Sequence, residues 1–477
     1  MKIRTPLYPF VSPIVIMYFS MGILGGQGQD DLLRWMEMEE ERFENYLTQT
    51  DRAFAKFLEN EWRKFELMIE SLPDTTPKPK RIPQKEPVDL IKTDTKQYED
   101  RIVNEIPCSE LKPRHVVEKY PVKKIDRTGQ KLSLLFFQTP MDIFYDQKVR
   151  LNIRHLDEQE FSRVWKELSS TNFEDMLSQF YDYRNSMNLN DWGYVLFLNE
   201  VGNSLYQNNG TNERVLFVWF YLLRSGYDTR LGYNCNNIYL LISTNEQLYG
   251  TSYYSLGHQN RRYYVCPIVN VNEVIGSLYS YEGEYPGSNN NVQFTLEASP
   301  TLSKDNINKA LSFTYQHKEY DLPVELNRNI VAFYNMFPQM ELDIYFKAPM
   351  ASSSGLSIRN GLTPIIKGIS KEEAVNIILR FVQTGFEYAT DHEQFQTENF
   401  LFPDETLFYD QSDCEDRSIL FAYLVKEMIG LDVIGLDYPG HIATAVKFNS
   451  KILGDTVSFQ GNRYTICDPT YINADIG

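Results

Sequence analysis

The chain has 477 residues, 42 % of them apolar and 14 % aromatic, and a formal charge of −17. That length supports two or three domains with buried cores. The acidic balance excludes a nucleic-acid partner, because neutralising phosphates takes a basic surface.

Taken in chain order, the N-terminus places Lys2 and Arg4 ahead of an apolar stretch from about Leu7 to Leu24, followed by Gly25 and Gly26. Charge, apolar run and small residues in that order predict an export signal over 1–26, with a retained anchor as the alternative. Pro9 and Pro13 break up a continuous helix there. No later segment is long and apolar enough to span a bilayer. The expected location is therefore the periplasm, the cell envelope or the outside of the cell.

Residues 27–70 read as a long amphipathic helix. Phe43, Phe54 and Phe65 recur every eleven residues, as do Leu47, Leu58 and Ile69. That period keeps one apolar stripe aligned along a helix. The stripe over 32–69 serves either the protein's own surface or self-association. A Pro/Lys-rich stretch over 71–90 reads as an extended linker. An α/β segment over 91–170 follows, with strands from Lys131 and from Lys148 and helices in "DEQEFSRVWKEL" and "NFEDMLSQFYDYR". Residues 271–350 read as a β-rich domain, its strands in "NVQFTLEAS", "ALSFTYQHKEYDLPV", "NIVAFYNMF" and "MELDIYFKA". A Ser/Gly-rich break from Ala351 leads to a C-terminal module over 369–477.

The module opens with an amphipathic helix whose Ser370 and Glu373 form a capping box. After an acidic, aromatic loop comes "DQSDCEDRSILFAYLV", with Ser412 or Asp413 as N-cap, Cys414 in the first helical turn and Gly430 at the C-terminal end. A thiol there meets unpaired N–H groups and the positive end of the helix dipole, which favour the thiolate. Asp413 and Glu415 oppose that. Strand, Pro439–Gly440 turn and strand then deliver His441, and a further hairpin delivers Asp468. Cys, His and Asp, 27 residues apart at each step, are the nucleophile, the base and the acid that orients the base. Gln411 is a candidate oxyanion donor beside the Cys414 N–H.

The set "DCEDRS", "GHIATAV" and "CDPTY" resembles the transglutaminase-like superfamily, with its papain-like Cys-His-Asp arrangement, over about a quarter of the chain. It is also similar to a branch of large exported bacterial proteins that carry this module at the end. The resemblance implies Cys414 as nucleophile, His441 as base and Asp468 as third member. Departures from the pattern are Asp413, where many members have a small residue, and Ala443, where many have an aromatic. No tryptophan lies near Cys414.

A gapless shift of 204 residues matches Gln411, Leu420, Phe421, Gly430, Asp432 and Ile442 to Gln207, Leu216, Phe217, Gly226, Asp228 and Ile238. "YYVCPI" from Tyr263 echoes "YTICDP" from Tyr464. The stretch 171–270 thus reads as a degenerate copy of the module, with Gly210, Asn237 and Pro267 where Cys414, His441 and Asp468 stand. The fold class expected is α+β.

Five cysteines leave at least one unpaired within the chain; Cys235 and Cys266 are a candidate pair, and Cys467 reads as core. No C-x-x-C occurs and histidine is scarce, so no metal and no cofactor is expected. Asp391, His392, Glu393 and Glu398 fit no calcium-loop pattern and read as a solvated loop. The expected function is an exported thiol enzyme acting on a peptide or protein substrate through an acyl-enzyme. Hydrolysis is favoured slightly over amine transfer. The alternative is a non-catalytic envelope protein that binds peptide or glycan.

Overall fold

The computed structural model describes Met38 and residues 48–70, 104–107, 129–207, 210–256, 261–268 and 276–477. The expected export signal, the Pro/Lys-rich linker and Cys108 lie outside the described residues. A helix over 48–58 (α1) buries Phe54, Ala55 and Leu58. Phe54 meets Trp165 edge-on at 4.7 Å and Tyr285 at 5.2 Å, so this part of the stripe packs into the chain's own core. The helix does not continue to 70 as expected. Trp62 Nε1 donates to Leu58 O at 2.6 Å, and the chain goes on as β1 (Trp62–Glu66) and β2 (Met68–Ile69). Both strands pair with the edges of a sheet whose open N–H and C=O groups take up their backbone, and Phe65 stacks on Tyr254 at 4.5 Å. An apolar period cannot register such an edge.

Next come β3 (Asn104–Pro107) and a hairpin of β4 (Gln130–Phe136) and β5 (Thr139–Tyr145). The expected strand from Lys148 is absent. Asp146 accepts from Lys148 N at 2.9 Å and starts a single 3-10 turn, after which Val149 and Leu151 are buried on an irregular path. Four helices follow: α2 (Glu158–Ser169), α3 (Phe173–Ser186), α4 (Asp191–Tyr206) and α5 (Thr211–Arg224). Asp157 caps α2 and Asn190 caps α4 through their side chains.

Behind α5 lies a seven-stranded sheet ordered β1-β10-β6-β7-β9-β8-β2. Its central strands are β6 (Thr229–Tyr233), β7 (Ile238–Ser243), β8 (Ser252–Leu256), β9 (Arg261–Val265) and β10 (Ser277–Tyr281). The expected β-rich stretch over 271–350 holds β10 and one hairpin, β11 (Asn306–Tyr315) with β12 (Lys318–Asn327). "NVQFTLEAS" is irregular, and the last two expected strands are helices, α6 (Arg328–Tyr334) and α7 (Leu342–Phe346). Asn327 caps α6 by accepting from Asn329 N at 3.0 Å. Ile330, Phe333, Tyr334 and Phe337 then recur at helical spacing on one buried face. The expected break after Ala351 is helix α8 (Ser352–Ile366), where the missing side chain of Gly361 lets the helix lie against Leu322.

The C-terminal unit has the expected helices α9 (Lys371–Thr384) and α12 (Cys414–Ile429), and the stretch expected as a loop between them holds β13 (Glu387–Tyr388), α10 (Asp391–Gln394), α11 (Pro403–Phe408) and β14 (Gln411–Ser412). After them come β15 (Val433–Tyr438), β16 (His441–Val446), β17 (Thr456–Phe459) and β18 (Asn462–Cys467) in a sheet ordered β17-β18-β16-β15-β3. The strand order β8-β9-β7-β6-β10 repeats this one. So does the register. Thr229 faces Ile242 as Val433 faces Val446, and Leu241 faces Val265 as Ala445 faces Ile466. Ser243 N donates to Asp228 O as Lys447 N donates to Asp432 O. Gly226 and Gly430 both end their helices at positive φ. One continuous core runs from Phe54 to Cys467 and holds the helices of both units, so the whole described chain is α+β with a shared interior.

Candidate active site

Cys414 is the first residue of α12, with Asp413 at the N-cap in extended conformation and Gly430 closing the helix at φ 68°. Ser418 Oγ donates to Ile442 O at 3.2 Å and pins the helix to β16. His441 opens β16 opposite Tyr438, across a turn where Gly440 takes φ 71°. Asp468 follows β18 directly. Its Oδ1 accepts from Thr470 N at 2.9 Å and Tyr471 N at 3.3 Å, while Oδ2 lies 2.7 Å from His441 Nε2. The ring's Nε2 is thereby committed to the carboxylate, which leaves Nδ1 for a second partner. Ile442 N, the amide next to His441, donates to Cys414 Sγ at 3.4 Å.

The structure therefore joins His441 to Asp468 and brings the thiol to the adjacent backbone, but it gives the thiol a different side-chain partner. Cys414 is fully buried, and its Sγ donates to Glu415 Oε2 at 3.0 Å rather than to the imidazole. Burial, then the charges of Glu415 and Asp413, push the thiol well above its usual range; the Ile442 N–H pulls the other way. The lowering expected from the helix end is overridden first by the burial of the thiol and then by the two flanking carboxylates, which are buried with it. Gln411, the expected oxyanion donor, is half-buried in β14, which pairs in parallel with β13. Its side chain makes no hydrogen bond among the described residues, so nothing yet orients it toward Cys414. Cys467 is buried as expected, and Cys235 and Cys266 are both free.

Two residues outside the Cys-His-Asp set tie the site together. Arg417 is buried one turn along α12; its Nε donates to Ser412 Oγ at 3.1 Å, Nη1 to Gln383 O at 3.2 Å and Nη2 to Phe386 O at 3.0 Å. Gln383, also buried, donates from Nε2 to Asp468 O at 3.1 Å and to Ala474 O at 3.0 Å. Nucleophile helix, α9 and the acid's segment are thus linked in series. A glutamine on a helix carries no sequence signal for such a role.

The loop expected in solvent folds back instead. Asp391 is 3 % exposed and its Oδ2 accepts from Asn399 N at 2.6 Å. Asp391, Asp413 and Asp416 each bring a carboxylate oxygen within 4.8 Å of the others, and so do Asp391, Glu398 and Glu415. Burial and mutual repulsion push Asp391 up to about 10, while Asp416 is pushed up to about 7, chiefly by burial. Burial and neighbouring acids drive Asp413 and Glu415 well above the carboxylate range. The alternating acids around Cys414 were visible in the sequence; their convergence with position 391 was not.

In the first unit the same place holds other residue types. Gly210 precedes α5, and Asn212 Oδ1 accepts from Ile238 N at 2.8 Å, the amide that corresponds to Ile442 N. A side-chain amide replaces the thiol as the acceptor. No family model, curated protein or solved structure matches the chain.

Proposed function

We propose that the C-terminal unit is a transglutaminase-like thiol enzyme that acts on amide bonds of a peptide or protein. The observation that carries this reading is the 2.7 Å contact of His441 Nε2 with Asp468 Oδ2, on a strand whose next amide holds Cys414 Sγ. In this mechanism the thiol leaves Glu415 by side-chain rotation, and His441 takes its proton at Nδ1. The thiolate attacks the substrate carbonyl, and the Cys414 N–H is one donor to the developing oxyanion. The imidazolium then protonates the leaving amine, and an acyl-enzyme remains. Water resolves it in hydrolysis and an amine resolves it in crosslinking; hydrolysis is the reading favoured, because water is always present.

Export from the cell is part of the proposal, supported by the order of Lys2, Arg4, the apolar run and Gly25–Gly26. No helix among the described residues is long and apolar enough to cross a membrane. The second reading, a non-catalytic peptide or glycan binder, is favoured by one observation, the buried thiol bonded to Glu415. Incubation with a mixed peptide library, followed by mass spectrometry, separates the two. Cleaved or isopeptide-linked products that vanish in Cys414→Ala support the enzyme. Peptide retention without turnover, unchanged in Cys414→Ala, supports the binder.

A further inference from the structure

The geometry points to a strand-addition site on the edge of β17, fitted to an extended apolar peptide segment that ends in a carboxylate. It goes beyond the proposed thiol chemistry and does not depend on it. The strand sets β10-β6-β7-β9-β8 and β15-β16-β18-β17 present four edges, and three of them carry a short strand from a distant part of the chain: β1 on β10, β3 on β15 and β2 on β8. The fourth is β17, which has no second neighbour among the described residues. Ile466 N donates to Asp455 O and Val457 faces Tyr464, so alternation along the antiparallel ladder turns the N–H and C=O groups of Thr456 and Ser458 outward.

The first unit shows what such an edge takes. Val265 and Ile466 hold the same place in the two sheets, which makes Tyr254 the counterpart of Val457, Tyr253 of Thr456 and Arg262 of Arg463. On β8, Met68 pairs antiparallel with Tyr253 and Ile69 with Ser252, while Leu67 packs against the apolar cluster that holds Tyr254. Arg262 fastens the end of the added strand, its Nη1 lying 2.9 Å from Glu70 Oε2. The C-terminal unit offers the same fittings unfilled. Val457 and Phe459 are half-buried, and Leu453, just ahead of the strand, is 85 % exposed. Arg463 is exposed; its Nη2 donates to Ile452 O at 3.1 Å, and no ion pair reaches it among the described residues.

The edge also lacks protection. Thr456, Val457, Ser458 and Phe459 include no charge and no proline, the devices that keep an exposed strand from pairing. An extended peptide adds antiparallel, exchanges main-chain bonds with Thr456 and Ser458, sets an apolar residue against Val457 and brings an acid to Arg463. A second folded copy of the chain fits less well. Four edge residues fall far short of the roughly 1,600 Å² that holds two folded chains together, and each copy carries a formal charge of −17 that repels the other.

The test titrates the full chain into a labelled synthetic peptide with the sequence of residues 62–70, WRKFELMIE, and reads fluorescence anisotropy. The expected result is saturable binding of about one peptide per chain, unchanged in Cys414→Ala, so that the outcome is independent of any thiol chemistry. Ser458→Pro removes an outward N–H without touching the bonds to β18, and should weaken binding by about tenfold. Arg463→Gln leaves the ladder intact and should weaken it by about two- to fivefold at low salt. A Met68→Pro version of the peptide, which lacks the central donor, should not bind. Unfolding midpoints identify a variant that fails to fold; should Ser458→Pro do so, Arg463→Gln decides alone. Absence of saturation at millimolar peptide overturns the site. Binding that both protein variants leave intact overturns it as well, because the peptide is then exchanging with β2 on β8, and so does equal binding of the Met68→Pro peptide.

Discussion

Asp468→Asn changes one atom and inverts the chemistry of the ring beside it. Asp468 Oδ1 is held by Thr470 N and Tyr471 N, so the substituted amide keeps its oxygen in that place and turns its nitrogen toward His441. An amide N–H facing Nε2 makes Nε2 the acceptor, and the ring's proton moves to Nδ1, the nitrogen that must receive the thiol proton. The structural cost is one charge-assisted bond exchanged for a neutral one, about 1 kcal/mol. The chemical cost is larger. A thiol with an ordinary pKa near 8.5 is only about 1 % ionised at pH 6.5, whereas a thiol paired with imidazolium is largely ionised. Alkylation of Cys414 by iodoacetamide, quantified by mass spectrometry across pH, should therefore slow by about 100-fold at pH 6.5 in Asp468→Asn and converge with wild type above pH 9. The unfolding midpoint should barely move. Equal rates in the two proteins at every pH refute the reasoning. A deficit that stays constant with pH refutes it too, because that reports access rather than ionisation.

Asp404 is fully buried, accepts from Ala351 N at 3.0 Å and from Ser354 Oγ, and burial pushes it from 3.8 up to about 6. A carboxyl held protonated more tightly in the folded state contributes stability below about pH 4 that is lost as pH rises through 6. Asp404→Asn should thus gain up to about 3 kcal/mol over wild type between pH 4 and pH 8, read from denaturant melts at both pH values. Gln383→Met removes the bonds to Asp468 O, Ala474 O and Asn473 N, and should cost roughly 2–4 kcal/mol in the same melts while slowing Cys414 alkylation. Gly435→Ala places a Cβ about 2.9 Å from the Phe346 ring, so it should destabilise the protein by about 1–3 kcal/mol.

What the sequence made legible were features that depend on neighbours close along the chain. The Ser370 cap, the strand character of the segments that hold β4–β5 and β11–β12, the Gly430 stop and the succession of α12, β15, β16 and β18 all carry local signals. Constant spacing also exposed the likeness of the two units, since an unbroken run of helix and strand keeps its register. Features decided by distant partners stayed hidden. The 62–69 strands exist because sheet edges lie beside them, and the Ser352–Ile366 helix because hairpin β11–β12 covers it. Asp391 reads as a loop residue until α12 is folded against it. The direction of the Cys414 thiol was equally illegible, because Glu415 and His441 compete for it in space and only the fold sets their distances.

The measurement that bears most directly on the central claim is the ionisation curve of Cys414, taken as the difference in ultraviolet thiolate absorbance between the wild type and Cys414→Ala. With the thiol turned from Glu415 to His441, as the mechanism requires, the pair gives an apparent pKa well below 8.5 in the wild type, returning to 8.5 or above in His441→Ala. A wild-type value at or above 8.5 that His441→Ala leaves unchanged contradicts the account.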